Sequence, residues 1–171
     1  HRRRGSVAGW GSGGCLEAAR QRTLKKDLCD AVKTRACLKF LKSYSRTLFA
    51  DVTSIEEFKL VVETLEIPRT NLKPRAVLGS GNYGQVRIAS VVLNSSRGER
   101  RAAPDGINGS DDSPMEQVAV KSRLPAEEDP TVDEALLIEA LVLHALHHPY
   151  MLRLAGVCTS TLPFLVATEL M

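Results

Sequence analysis

The sequence predicts an α+β fold: a five-stranded antiparallel sheet with one main helix, preceded by a helical and disordered N-terminal segment. Runs of alternating, β-branched character at residues 75–80, 84–93, 117–122, 152–158 and 163–170 predict the strands. Glycine-, proline- or serine-rich stretches separate most of these runs. Residues 132–146 instead repeat apolar side chains at about 100° per residue, which predicts the helix.

The elements follow in chain order. Residues 1–14 are rich in Arg, Gly and Ser and read as disordered. Residues 16–48 favour helix, with Leu24, Leu28, Val32, Leu38 and Leu41 as apolar positions. Their spacing is only partly regular and Lys and Arg fill the gaps, so a solvated helical linker is expected. A better helix spans 54–66. Thr53 and Glu56 have capping-box spacing, and Ile55, Phe58, Val62 and Leu65 recur at helical intervals. Pro68 ends it. Residues 94–116, rich in Asn, Ser, Gly, Arg and Asp, read as a long mobile loop. Thr131 and Glu134 offer a second capping box at the start of the main helix, and His148-Pro149 stops it. The expected organisation is a basic segment over 1–52, a lead-in helix over 53–66 and a domain over 67–171.

Composition narrows the function classes. With 171 residues and 43% apolar content, the chain can build one domain plus an appendage. No apolar run approaches the ~18 residues of a membrane span, and the opening His1-Arg2-Arg3-Arg4-Gly5-Ser6 is not a secretory signal. The absence of an initial Met and the strand-like ending at Leu170-Met171 suggest a fragment. Cys15, Cys29, Cys37 and Cys158 form no CxxC pair and read as reduced thiols. Residues 1–52 hold 12 Lys and Arg against 4 Asp and Glu, and the remainder 11 against 16. The basic segment could meet an acidic surface such as anionic lipid. A nucleic-acid arm is the poorer reading.

Three features carry chemistry. Gly79-Ser80-Gly81-Asn82-Tyr83-Gly84-Gln85-Val86 fits GxGxxGxV. In a dinucleotide-binding fold this pattern opens a helix. Here the following residues alternate like a strand, so the glycines form a hairpin whose backbone N–H groups can cover phosphates. An ordinary glycine-rich hairpin is the plain alternative. In Val118-Ala119-Val120-Lys121, strand alternation puts Ala119 and Lys121 on one face and Val118 and Val120 on the other. A small residue beside a lysine suits a flat base next to a phosphate chain; a strand-end lysine in solvent is the alternative. On the main helix, Glu139 falls amid Val132, Ala135, Leu136, Val142, Leu143 and Leu146. A carboxylate buried in that stripe needs a partner, and Lys121 is the natural one; a partly exposed Glu at the stripe's edge is the alternative and fits poorly, because apolar residues flank it on both sides. His144, His147 and His148 suggest a metal, but a helix-end cluster suited to the negative end of the dipole is the better reading. No metal site is assigned.

Taken in order, the glycine hairpin, the VAVK strand and the helix glutamate resemble the small lobe of a protein kinase, over residues 67–171. His148-Pro149-Tyr150-Met151-Leu152-Arg153-Leu154-Ala155-Gly156-Val157-Cys158 is similar to tyrosine kinases, and Ile67-Pro68-Arg69-Thr70-Asn71-Leu72 to receptor-type members. The resemblance implies that Gly79, Ser80, Gly81 and Gly84 cover the ATP phosphates. It implies that Val86 and Ala119 sandwich adenine, and that Lys121 contacts the α- and β-phosphates and pairs with Glu139. Thr168 would sit at the back of the adenine pocket, Glu169 and Met171 would offer backbone contacts to adenine, and Leu143 and Leu154 would join the apolar spine between lobes.

The same resemblance marks what is missing. The catalytic loop and the DFG segment do not occur in these residues, so the Mg ligands would lie in the other lobe and this stretch alone should not catalyse. The implied partners are ATP and, through that other lobe, a protein substrate, with no nucleic acid. The implied location is the cytoplasm or the cytoplasmic side of a membrane. Rival readings are a pseudokinase scaffold and a non-kinase nucleotide-binding module. The presence of both Lys121 and Glu139 weighs against the first, and the strand after the glycines against the second.

Overall fold

The computed structural model describes residues 13–48, 54–81, 84–92, 115–146 and 148–171. It comprises helices α1 (Gly13–Leu48) and α2 (Ile55–Leu65), a 3-10 turn at Arg69–Asn71, strands β1 (Leu72–Gly81), β2 (Gly84–Val92) and β3 (Met115–Ser122), helix α3 (Pro130–Ala145), and strands β4 (Leu154–Cys158) and β5 (Leu165–Glu169). The sheet is antiparallel, in the order β1-β2-β3-β5-β4. This is the expected α+β arrangement. The readings for residues 1–12 lie outside the described residues, as do those for most of 94–116, although β3 begins at Met115, inside the expected loop.

Register sorts the sheet's side chains. Directly paired residues of an antiparallel sheet share a face, and neighbours along a strand alternate. Val86 pairs with Lys121, Ile88 with Ala119, and Ala119 with Thr168, so these side chains share one face. The opposite face holds a core of Leu72, Ala89, Val91, Val118, Val120, Cys158 and Ala167. Val166, paired with Lys121, lies on the first face and joins Val157 and Phe164 in the core beneath α3.

Both helix starts differ from expectation. Before α2 the cap is Ser54 with Glu57, one residue later than the expected Thr53 and Glu56, and Thr53 lies outside the described residues. Glu57 N–H donates to Ser54 Oγ at 3.2 Å and Ser54 N–H to the Glu57 carboxylate at 3.0 Å. In that frame Phe58 and Val62 are the buried residues of α2. For α3 the cap is Asp129, which accepts from Thr131 N–H at 2.8 Å and from the Thr131 hydroxyl at 2.6 Å. Pro130 then takes the first helical turn, where its missing N–H costs nothing. Glu134 is thereby displaced into the second turn, too far along to cap, and is buried instead.

The solvated linker expected over residues 16–48 is also corrected. Cys29, Val32, Ala36, Cys37 and Phe40 of α1 are buried in the same core as Leu136, Leu137, Ala140 and Leu141 of α3. The Phe40 ring meets Phe58 of α2 edge-on at 5.2 Å between centroids. Spacing at i, i+3, i+7, i+8 and i+11 makes this a proper amphipathic stripe. It is built largely from small residues, whereas Leu24 and Leu28 are 59% and 43% exposed. Among the described residues, no helix is long and apolar enough to cross a membrane.

Candidate functional site

The hairpin between β1 and β2 shapes one edge of the sheet. Gly81 pairs with Gly84 at its mouth, and Gly84 has φ +111°, a conformation that L side chains rarely adopt. A Cβ at Gly84 would also overlap the carbonyl of Ser122 on β3, so glycine there lets β2 approach β3. A Cβ at Gly79 or Gly81 would meet nothing within 4 Å. These two glycines therefore face open space. Asn82 and Tyr83 lie outside the described residues.

Below the hairpin, register has already placed Val86, Ala119, Lys121 and Thr168 on one face; it adds Ile88, which the sequence reading missed. Lys121 Nζ reaches across to α3 and donates to both carboxylate oxygens of Glu139, at 2.9 and 2.7 Å. The two side chains are 27% and 46% exposed. The pair predicted from sequence therefore forms, but the predicted burial does not. The buried side of α3 is Asp133, Glu134, Leu136, Leu137, Ala140 and Leu141, because α1 covers that side. Ala135 is exposed, Leu146 is 37% exposed, and Val132, Val142 and Leu143 are half-buried. Glu139 thus sits on the uncovered flank of the helix.

At the far end of β5, Glu169 is tied to the segment before β4. Its backbone N–H donates to Arg153 O at 3.0 Å, and its carboxylate accepts from Arg153 N–H at 2.8 Å. Any backbone contact that Glu169 offers to a ligand must therefore come from its carbonyl. Met171 is almost fully exposed. Leu143 and Leu154 line a cavity of about 310 Å³ with Leu152 and Glu169. His148 Nδ1 accepts from Tyr150 N–H at 3.2 Å, whereas His147 lies outside the described residues. Among the described residues, no group of three or more His, Cys, Asp or Glu could hold a metal ion.

Two buried carboxylates on α3 escaped the sequence reading. Asp133 accepts from Phe164 N–H at 2.7 Å and from Arg123 Nε at 3.0 Å. Burial pushes its carboxyl above the usual range, although the bonds from Phe164 and Arg123 pull the other way. Glu134, 2% exposed at its side chain, accepts from Arg35 Nε and Lys39 Nζ of α1. Desolvation raises its carboxyl too, but the bonds and charges of Lys39 and Arg35 prevail and hold it below the usual range. For Glu134 the available signal was the basic i, i+4 pair Arg35 and Lys39 on α1, which no local pattern connects to α3; Asp133 pairs instead with Arg123, ten residues before it.

The family described as protein tyrosine and serine/threonine kinase matches residues 72–171. The chain belongs to this kinase family. It is 32% identical over 106 residues to the tyrosine protein-kinase src-1 of Caenorhabditis elegans, and 31% identical over 106 residues to the tyrosine-protein kinase ABL2 of Homo sapiens. Each alignment covers 62% of this chain, and the kinase lobe spans 15% and 7% of those relatives' lengths. Its five strands and α3 are those of a kinase N-terminal lobe. The family generally uses ATP and Mg, and a kinase domain in general acts on a protein substrate.

Proposed function

We propose that this lobe binds ATP for transfer of phosphate to protein tyrosine in the intact protein. The observation that carries the reading is the Lys121–Glu139 pair, with Nζ 2.7 and 2.9 Å from the two carboxylate oxygens, on the sheet face shared by Val86 and Ala119. In this reading Lys121 neutralises the α- and β-phosphates, and Glu139 holds its ammonium in place. Val86 and Ala119 flank adenine, with Thr168 behind it and the backbones of Glu169 and Met171 along its edge. Gly79, Ser80, Gly81 and Gly84 close over the phosphates, where two glycines with open space above them allow close approach. Phosphoryl transfer depends chiefly on positioning and charge neutralisation, so the lobe's contribution is to orient the nucleotide. Support for tyrosine comes from the tyrosine kinases among the similar proteins.

The test is turnover of the full-length protein on a tyrosine-containing copolymer and on a serine/threonine substrate, wild type beside Lys121→Met. Tyrosine phosphorylation that falls by about 10²–10³-fold in the variant is expected. Equal turnover in the two proteins, or phosphate on Ser and Thr alone, would overturn the reading.

A further inference from the structure

We infer that Arg35 and Lys39 of α1 are positioning residues for the proposed ATP site: by clamping Glu134 they set the orientation of α3 and so deliver Glu139 to Lys121. The inference rests on the ATP reading above.

The geometry supplies the coupling. Glu134 and Glu139 are five residues apart on one helix, which separates them by about 140° around its axis and about 7.5 Å along it. One carboxylate therefore binds a cationic pair on α1, and the other binds a cation on β3, from different sides of α3. Between them lies an apolar contact of Leu136, Leu137, Ala140 and Leu141 with Cys29, Val32, Ala36, Cys37 and Phe40. Apolar burial holds the helices together but is non-directional, so it tolerates rotation and sliding. Charge-assisted hydrogen bonds are directional, and the fork of Arg35 adds a fixed plane. Arg35 and Lys39, one turn apart on α1, meet the same carboxylate.

The exposures show which end must yield. Glu134 is 2% exposed while Arg35 and Lys39 are 46% and 57% exposed. Without them Glu134 loses both of its charge-assisted bonds, and the water that replaces them imposes no fixed direction, so the start of α3 is free to turn. Glu139, 46% exposed on the uncovered flank, offers little resistance to that turn, and its pair with Lys121 opens.

The test uses the full-length protein and three readouts: Kd for a fluorescent ATP analogue, melting temperature, and the distance between spin labels at Glu116→Cys on β3 and Ala135→Cys on α3, both native residues being exposed. Arg35→Ala with Lys39→Ala should raise Kd at least fivefold and shift or broaden the label distance. Adding Glu134→Leu removes the buried charge, so melting should return to near wild type while Kd and label distance stay perturbed. Recovery of all three readouts in the triple variant would make the contact merely structural and overturn the inference, as would an unchanged Kd in the double variant. If the double or triple variant does not fold, Glu134→Gln is read instead. It keeps a weakened acceptor, a Kd raised about twofold is expected, and an unchanged one overturns the inference. Wild-type protein that fails to bind the analogue would sink the ATP reading; the label distances then decide the clamp alone, and identical distributions in wild type and double variant refute it.

Discussion

Replacing the three glycines of the hairpin one at a time separates folding from ligand binding. Gly84→Ala should damage the fold. At φ +111° an alanine costs about 1–2 kcal/mol. Its Cβ would also overlap the Ser122 carbonyl oxygen and lie 3.1 Å from the carbonyl carbon, both rigid backbone atoms, adding about 1–3 kcal/mol. The expected total is about 2–5 kcal/mol, a large share of the stability of any single domain. Gly79→Ala and Gly81→Ala place a Cβ in open space with no positive φ, so each should change stability by less than about 1 kcal/mol. If the open space above Gly79 and Gly81 receives phosphates, these two variants should instead weaken ATP binding while leaving the fold intact. Urea unfolding of the 171-residue chain measures the first quantity, and nucleotide titration of the full-length protein measures the second. Equal destabilisation by all three substitutions would refute the reasoning, as would wild-type ATP affinity in both Gly79→Ala and Gly81→Ala.

Other expectations follow from single contacts. Asp133→Asn should cost about 1.5–3 kcal/mol, because Arg123 loses a charged acceptor inside the fold; denaturant unfolding without loss would contradict it. Cys29, Cys37 and Cys158 are buried with thiols pushed upward, Cys158 to about 11. They should resist alkylation at neutral pH until the chain unfolds, and rapid native-state labelling of Cys29 or Cys37, mapped by mass spectrometry, would undock α1. Glu134 has a depressed pKa, so its stabilisation is present above the unfolded value of about 4.3 and is lost as pH falls through the folded value. Glu134→Gln should flatten that acid limb, and an unchanged acid limb would count against the clamp.

The strand–strand–strand–helix–strand–strand order was legible because alternation and glycine punctuation are local signals. The same alternation correctly put Ala119 and Lys121 on one face, opposite Val118 and Val120. The docking of α1 was not legible. Its stripe uses Cys29, Ala36 and Cys37, which hydropathy undervalues beside the exposed Leu24 and Leu28. That omission spread to α3. With α1 in solvent, the apolar pattern makes Glu139 the buried acid, whereas the covering helix buries Asp133 and Glu134 and leaves Glu139 on the open flank. Glu134 looked like a capping residue for a related reason: Thr131 and Glu134 have the right spacing, but Asp129 followed by Pro130 starts the helix earlier.

The exposure of the Lys121–Glu139 pair decides how its role can be measured. A pair 27% and 46% exposed contributes about 0.2–1 kcal/mol to folding, so stability reports little about it. Turnover of the full-length protein in a double-mutant cycle of Lys121→Met and Glu139→Gln is the direct measurement. If Glu139 acts by holding Lys121 for ATP, Lys121→Met cripples turnover, Glu139→Gln lowers it less, and the double variant is no worse than Lys121→Met alone. Wild-type turnover in Lys121→Met, or losses that multiply in full, would contradict the account.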